Sequence, residues 1–260
     1  MRNTAFGVAL ISAMLIPAPQ VAAQGPLDDP ELQEWEVPYE QSRPRDPFVA
    51  PDGRVWFCGQ AGAYIAVLDP DSGEFTQYDT EGVRPHNLIV AADGMVWYAG
   101  NAANEGGVAR HIGKLDPETG DIERFMMPDE RARDPHTMVF DSKGDIWFTV
   151  QQGNFMGKLF TQTGEIRLVE SIAGHPRRGN PSGSRPYGIE LDSNDRPWIA
   201  LFNTNHIGTI DPETFEFETI ELAENALPRR LTITSDDVIW YGDWTRGTLG
   251  RLDPETGEVQ

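Results

Sequence analysis

Apolar and polar positions repeat along this chain in short alternating segments. Each repeat has a proline, a short apolar strand, a turn rich in Asp, Asn, Ser or Gly, and then an apolar residue or proline followed by tryptophan. The tryptophans are Trp56, Trp97, Trp147, Trp198 and Trp240. Their spacings of 41, 50, 51 and 42 residues indicate a unit of about 42 residues with insertions, which is typical of β-propeller blades.

The second half of each unit also repeats and predicts two further strands. Residues 68–73 have the sequence Leu-Asp-Pro-Asp-Ser-Gly, and the pattern returns at 115–120 and 252–257, with looser copies at 159–164 and 210–215. Asp-Pro begins a turn because proline fixes φ, and the final glycine permits a positive φ. A strand of alternating character follows each turn. Each unit therefore predicts a sheet of four antiparallel strands.

A four-stranded sheet with two apolar faces needs neighbours on both sides, and radial packing of such blades supplies them. We therefore predict an all-β propeller in which each tryptophan wedges between blades. Five units are visible, and residues 32–37 resemble the fourth strand of a preceding blade. Because the sequence ends within a fourth strand, we expect a propeller domain over residues 32–260 that is incomplete at its C-terminus.

The N-terminal residues predict a secretory signal peptide over 1–23. Arg2 provides the positive charge, the apolar run from Ala5 to Ile16 is too short to span a bilayer, and residues 21–23 offer small side chains for cleavage. We expect a linker over 24–31 and a monomer that is exported to the periplasm. No membrane insertion is expected after signal cleavage.

The charge of the chain limits its partners. With 21 Lys and Arg against 41 Asp and Glu, the formal net charge is −20, which disfavours nucleic acids and anionic membranes and favours neutral or cationic partners. The single cysteine, Cys58, cannot form an intramolecular disulfide and lies in an apolar strand pattern, where we expect it to be buried.

The candidate site lies on one face of the predicted propeller. The turns after the first and third strands are short, whereas the connections after the second and fourth strands vary and include insertions at 100–110 and 171–184. Variable loops on a rigid scaffold often carry function. A small-molecule or cyclic peptide ligand would bind on this face.

Two histidines, His86 and His136, follow a proline at the start of a first strand on this face, and Tyr187 and Arg229 occupy the same place in the next two blades. Packing of neighbouring blades should bring the four side chains together as a polar ring around the channel mouth. A histidine in such a ring can exchange a proton near neutral pH; alternatively, the ring only caps the channel and binds water. His111, which begins a third strand beside an insertion, could join it.

The repeats resemble the streptogramin B lyases, the virginiamycin B lyase family of seven-bladed propellers. The resemblance lies in the Pro-His motif, the Asp-Gly-x-(Val/Ile)-Trp turn, and runs such as His-Ile-Gly-Lys-Leu at 111–115, and it covers about residues 33–260. In that family a cyclic depsipeptide lactone is opened by elimination, and Mg²⁺ polarises the ester carbonyl. The resemblance implies that His136 is a general acid or base. It implies that His86 acts beside it as a catalytic group that binds or orients the metal.

The resemblance also implies an acidic residue shortly after the tryptophan of the second of these blades, where this chain has Gln151. A neutral amide is not a general base and is a weaker ligand for Mg²⁺. We therefore predict that Gln151 binds substrate, together with Tyr187, Arg229 and Asn101. Asp243 is the carboxylate that follows a tryptophan on the loop face.

Three functions remain open. The chain is a lyase of the streptogramin B type, or a non-enzymatic propeller that binds a small molecule, a glycan or a partner protein, or a hydrolase of the lactonase type with carboxylate-bound calcium. The replacement of an acid by Gln151 favours the second function, and the lack of clustered acids in the predicted ring makes the third the weakest.

Overall fold

The computed structural model describes residues 32–103, 110–174 and 183–260, without the side chains of residues 102 and 103. The predicted signal peptide and linker lie outside the described residues, as do 104–109 and 175–182 within the two predicted insertions. The described residues form strands and turns, and they contain no helix with the length and apolar character needed to cross a membrane. The chain divides into two units, residues 1–36 and 37–260, and the larger unit contains every strand given below.

The strands of the described residues form five antiparallel sheets, in which each strand pairs with the next along the chain. The first sheet contains β1 (Pro44–Val49), β2 (Val55–Gly59), β3 (Tyr64–Leu68) and β4 (Phe75–Asp79). The second contains β5 (Val83–Val90), β6 (Val96–Ala103), β7 (His111–Leu115) and β8 (Ile122–Met126). The third contains β9 (Pro135–Phe140), β10 (Ile146–Val150), β11 (Phe155–Leu159) and β12 (Ile166–Glu170). The fourth contains β13 (Pro186–Leu191), β14 (Pro197–Leu201), β15 (His206–Ile210) and β16 (Phe217–Glu221). The fifth contains β17 (Pro228–Ile233), β18 (Ile239–Asp243) and β19 (Thr248–Leu252).

The fifth sheet has three named strands, and an isolated antiparallel bridge between Leu252 and Val259 marks the place of its fourth. The prediction of a β-propeller with four-stranded antiparallel blades is thus confirmed. The extra strand predicted at 32–37 does not form, because this segment pairs with no strand of the described chain. Its end instead contributes side-chain packing, since Val37 and the following Tyr39 contact the aromatic cluster of the first sheet.

The turns between third and fourth strands follow from the Asp-Pro pattern. In the first sheet the Asp69 carboxylate accepts the N–H groups of residues 71 and 72, and the N–H of Gly73 donates to the Asp69 carbonyl at 2.8 Å. Gly73 has a φ of +75°, which glycine adopts without steric cost. The looser copy has Phe215 at this position, with a φ of +64° and the same bond to the Asp211 carbonyl. The hydrogen-bond pattern therefore sets the turn even without glycine.

The tryptophans pack as predicted at four of the five positions. Trp56, for example, is 1% exposed and lies in a cluster with Leu88 and Tyr98 of the second sheet. Trp97, Trp147 and Trp198 are likewise buried against residues of the sheet that follows. Trp240 is only half-buried, so the prediction is wrong at this position. The physical reason is that, among the sheets of the described residues, none lies against the outer face of the fifth sheet to cover it.

Neighbouring blades are also joined at the tight turns after the first strands. The N–H and Oγ of Ser142 both bond to the Asp195 carboxylate in the fourth sheet. Ser193 repeats this with Asp237 in the fifth sheet, with distances of 2.8 Å from its N–H and 2.6 Å from its Oγ. The third turn residue is thus an aspartate at these two junctions.

The innermost strands place equivalent residues side by side. Their pairing with the second strands places a proline at the same level in every first strand: Pro44, Pro85, Pro135, Pro186 and Pro228. The residues that follow these prolines are Arg45, His86, His136, Tyr187 and Arg229. The next residues are Asp46, Asn87, Thr137, Gly188 and Arg230. The first strands of the five sheets line a cavity of about 550 Å³, whose wall includes Asp46, Asn87 and Thr137.

Candidate functional site

The predicted ring forms as a chain of stacked side chains. The ring centroids of His86 and His136 lie 3.5 Å apart, and those of His136 and Tyr187 lie 4.1 Å apart. The guanidinium of Arg229 lies 5.0 Å from the centre of the Tyr187 ring, and its Nη2 donates to the Tyr187 hydroxyl at 3.0 Å. The structure thus brings together all four residues that the sequence placed at the start of first strands.

His136 is buried and neutral. It is 1% exposed, and its Nδ1 lies 2.9 Å from Oγ1 of Thr137. Burial lowers the pKa of His136 well below its ordinary value, and repulsion from Arg230 and from any positive charge on His86 lowers it further. When Nδ1 carries the proton and donates to Thr137, Nε2 retains the lone pair that a general base requires.

Hydrogen bonds between blades fix the position of His136. The N–H of the next residue, Thr137, donates to Oγ1 of Thr149 at 3.2 Å, and that hydroxyl donates to the carbonyl of Tyr187 at 2.9 Å. The N–H of Met138 donates to Oδ1 of Asn87 at 2.9 Å. The strand carrying His136 is therefore tied to the blades on both sides, which holds the imidazole in a defined place.

His86 has a carboxylate beside it that the sequence analysis missed. Oδ2 of Asp46 lies 3.3 Å from Nδ1 of His86, and its Oδ1 lies 3.2 Å from Nη2 of Arg230. Burial acts to raise the pKa of Asp46, but His86, Arg230 and Arg45 together lower it. Burial lowers the pKa of His86, and Asp46 opposes this effect. Asp46 therefore stays ionised beside His86, whose Nδ1 is buried without a geometrically good hydrogen bond among the described residues.

Of the two residues of the first blade that the sequence analysis missed, Arg45 has a local sequence signal and Asp46 does not. Pro44-Arg45 repeats the proline and polar residue that begin the other first strands, so it identifies the first blade's member of the ring. The pairing of Asp46 with Arg230 spans 184 positions of the chain. Such a contact depends on how distant blades close around the axis, and no local pattern predicts it.

Gln151 and Asn101 meet at a second buried carboxylate, Asp134. Asn101 donates from Nδ2 to Oδ1 of Asp134 and, at 3.2 Å, to the carbonyl of Pro135. With its amide oriented to suit both neighbours, Gln151 donates to Oδ2 of Asp134 at 3.0 Å and accepts from Arg185 at 3.3 Å. Burial raises the pKa of Asp134 to about 6, against the hydrogen bond from Asn101. The two predicted substrate-binding residues therefore hold an acid directly before the Pro135-His136 pair.

Two further predicted candidates have structural roles. Oδ1 of Asp243 accepts the backbone N–H groups of Leu227, Thr245 and Arg246, so this carboxylate fixes a turn. His111 is buried on the third strand of its sheet, with Nε2 at 3.2 Å from the hydroxyl of Tyr98. It thus lies on the third strand of its sheet, two strands away from the ring that it could have joined.

The donor set around His86 does not fit a magnesium ion held by protein side chains. Mg²⁺ prefers oxygen ligands in octahedral geometry. Among the described residues, the carboxylate beside the two imidazoles is Asp46, and it is paired with Arg230. Within residues 32–103, 110–174 and 183–260, no three His, Cys, Asp or Glu side chains are grouped as a metal site.

Comparisons with known proteins identify similar propellers. No profile of a known protein family matches the sequence, and no curated protein does so at a significant level. Solved structures do match it. The virginiamycin B lyase of Staphylococcus aureus has a TM-score of 0.74 and 27% identity, over 88% of this chain and 73% of that chain. A streptogramin B lyase structure has a TM-score of 0.74 and 29% identity, over 88% of this chain and 71% of that chain.

A third solved structure is a catalytically inactive histidine-to-alanine variant of the S. aureus virginiamycin B lyase with quinupristin. It has a TM-score of 0.53 and 25% identity, over 88% of this chain and 87% of that chain. The resemblance of this chain to the streptogramin B lyases is thereby confirmed at the level of the fold. The chain is a lyase-like β-propeller.

Proposed function

We propose that this propeller is a carbon–oxygen lyase that opens a cyclic depsipeptide lactone by elimination, with His136 as the group that transfers the proton. The observation that carries the proposal is the stacked pair of His86 and His136 at the start of two adjacent innermost strands. A neutral imidazole in a fixed position is the group that proton abstraction requires. The similarity to streptogramin B lyases supports this choice of substrate class.

The proposed elimination needs one proton acceptor, which is His136, and no added water. Nε2 of His136 takes the proton from the carbon next to the one that bears the ester oxygen. A carbon–carbon double bond forms, the carbon–oxygen bond breaks, and its electron pair leaves on the carboxylate. The product is linear and has the same atoms as the substrate, because no water is added. His136 then returns its proton to solvent.

The neighbouring residues have distinct roles in this proposal. His86 stacks on His136 and has the Asp46 carboxylate 3.3 Å from its Nδ1, so it can share the positive charge that His136 gains when it takes the proton. Tyr187 and Arg229 offer a hydroxyl and a guanidinium for the carbonyl oxygens of the peptide. Asn101 and Gln151 both bond to the Asp134 carboxylate and so fix the backbone two residues before His136. Export by the N-terminal signal would place the enzyme where an extracellular peptide antibiotic is first met.

The test is an assay of purified protein with quinupristin, followed by liquid chromatography and mass spectrometry. Elimination gives a linear product of unchanged mass, whereas hydrolysis adds the mass of one water. We expect His136→Gln to lower kcat by about 100-fold or more, the usual contribution of a general base. His206→Gln, a histidine at the start of β15, is the matched control and should retain activity.

Parallel reactions with added Mg²⁺ and with a chelator measure the contribution of a metal. Activity that survives chelation agrees with the donor set described above. Thermal unfolding of each variant shows whether a loss of activity reflects a loss of fold. Absence of turnover by folded wild-type protein in both conditions, or full activity of His136→Gln, would falsify the proposed reaction.

A non-enzymatic ligand-binding propeller is the second candidate. The observation that favours it is Gln151, because a neutral amide bonded to Asp134 lies where the resemblance implies an acid. Calorimetry distinguishes the two candidates. Binding of the cyclic peptide without conversion, at unchanged affinity in His136→Gln, would support this candidate over the lyase.

A further inference from the structure

A second cavity lies between the second and third sheets, at the ends of the strands away from the histidine pair. It has a volume of about 590 Å³ and includes the residues directly after β5, the strand whose first half carries His86. Its wall includes the apolar residues Val90, Trp97 and Phe140 and the lysine Lys114. A cavity of this size, with apolar walls and few polar groups, is typical of sites for small molecules.

The turns on either side of this cavity are not linked to each other. At the next junction, between the third and fourth blades, the N–H and Oγ of Ser142 bond to the Asp195 carboxylate. The equivalent positions of the second and third blades are Ala92 and Gly144, and both line the cavity. Neither residue has a side chain that can form this hydrogen bond, so no such link closes the space between the two turns.

In the third and fourth blades, an aspartate six residues before the tryptophan supplies a carboxylate to the donors around it. In the third blade this residue is Asp141, whose Oδ2 lies 2.7 Å from the ammonium of the buried Lys158, and Asp145 adds a second carboxylate at 3.4 Å. In the fourth blade it is Asp192, whose Oδ2 accepts a hydrogen bond from Nε1 of Trp198 at 3.0 Å. One sequence position thus provides the acceptor for a lysine in one blade and for an indole in the next.

The second blade has both donors and lacks the carboxylate. Lys114 stands at the position of the third blade's lysine, and its ammonium lies 5.3 Å from the centre of the Trp97 indole. The two aspartates of the third blade are replaced by Ala91 and Met95. Within the described residues, no carboxylate lies within ion-pair distance of Lys114, and Nε1 of Trp97 has no hydrogen-bond acceptor. The first blade also lacks the aspartate, but it has Val67 in place of the lysine.

The carboxylates on the wall of the cavity have partners of their own. Asp141 is paired with Lys158, and Oδ1 of Asp93 accepts the N–H of Met95 at 3.1 Å. The net charge of −20 opposes the approach of an anion at long range, but such an effect is screened beyond about 8 Å at physiological ionic strength. The groups in direct contact with a ligand therefore decide whether an anion binds here.

We propose that this cavity binds a small carboxylic acid with an apolar body. Its carboxylate lies beside Ala91, in the place that an aspartate fills in the next two blades, and accepts hydrogen bonds from Lys114 and from Nε1 of Trp97. Its apolar part lies along Val90 and Phe140. The site is at the opposite end of the blades from the histidine pair, and it does not depend on the proposed elimination.

The experiment compares phenylacetate with phenylacetamide, which has nearly the same shape and no charge. Binding of each to wild-type, Lys114→Met and Ala91→Asp protein is measured by ligand-observed NMR titration. We expect wild-type protein to bind the acid about tenfold more tightly than the amide, as one hydrogen bond to a charged group provides. Ala91→Asp supplies the carboxylate from the chain itself, so it should abolish this preference, and Lys114→Met should abolish it by removing the cation.

Two controls separate this site from other effects of charge and from the histidine pair. Lys143→Met removes an exposed lysine of the neighbouring turn that does not line the cavity, and it should leave the preference for the acid unchanged. His136→Gln should leave it unchanged as well. Loss of the preference in either control would show that the carboxylate binds elsewhere and would overturn the proposal.

Thermal unfolding gives a second measurement and shows that each variant is folded. Phenylacetate should raise the Tm of wild-type protein, because a ligand that binds the folded state stabilises it, and it should leave the Tm of Ala91→Asp unchanged. Equal affinity of wild-type protein for the acid and the amide, no binding of phenylacetate, or a preference for the acid that persists in Ala91→Asp would each overturn the site.

Discussion

Asp134 makes a measurable contribution to the pH dependence of stability. Burial raises the pKa of its carboxyl from the ordinary 3.8 to about 6 in the folded protein. Between these two values the folded state binds more protons than the unfolded state, so the free energy of unfolding falls as pH rises through this window. A pKa difference of this size corresponds to a loss of about 3 kcal/mol, complete above the folded pKa.

Asp134→Asn removes this titration and nearly preserves the shape of the side chain. The amide oxygen can still accept from Asn101. If the Gln151 amide turns so that its oxygen accepts from the new NH₂ group, Gln151 gives up the bond that it accepts from Arg185. Any change in these hydrogen bonds shifts stability by a constant amount at every pH. The pH-dependent part of the difference between the two proteins therefore reports the Asp134 carboxyl alone.

The assay is urea unfolding of both proteins, followed by tryptophan fluorescence, at several pH values from about 3.5 to 7. We expect the stability of Asp134→Asn relative to wild type to increase by about 3 kcal/mol across this range, with the steepest change between pH 4 and 6. A relative stability that stays constant with pH would refute the buried, proton-binding carboxyl. A relative stability that decreases as pH rises would mean that Asp134 is stabilised as an anion.

Three further predictions concern packing and burial. Gly113→Ala should lower stability by about 1–3 kcal/mol in chemical denaturation, because the new Cβ would lie 2.1 Å from the buried Tyr98 ring; unchanged stability would show that the ring can move. Lys158→Met should cost about 3–5 kcal/mol, because it leaves the buried Asp141 carboxylate without the ammonium 2.7 Å away; a double variant with Asp141→Asn should recover part of the loss. Cys58, which is buried with its pKa raised by desolvation, should react with a thiol reagent only after unfolding, and rapid labelling of folded protein would contradict its burial.

The sequence predicted the blades because their pattern is local. The proline, the turn and the tryptophan of each unit are separated by few residues, and each has a direct effect on the backbone or the core. The same locality predicted that His86 and His136 become neighbours, since both follow a proline at equivalent places of adjacent units. Their contact is confirmed, while their catalytic role stays a prediction.

Other features depend on how the blades pack together. Asp46 reaches both His86 and Arg230, and the second of these lies in the fifth blade, so the sequence offers no local sign of the contact. The same limit applies to Trp240, whose motif matches the other four although none of the described sheets covers it. A repeat pattern predicts the strands and turns within one blade, whereas the contacts of each side chain depend on the residues of the neighbouring blades.

The serine–aspartate links between tight turns make the repeats distinguishable from one another. Asp195 and Asp237 have φ values near +60°, a conformation that costs energy for any residue except glycine. The first three blades have glycine at this position, which has no carboxylate to receive a serine from the blade before it. A blade of the first kind could not replace the fourth or fifth without losing the link. Among nearly identical blades, the choice of aspartate or glycine at one turn position therefore determines which blades can form this link as neighbours.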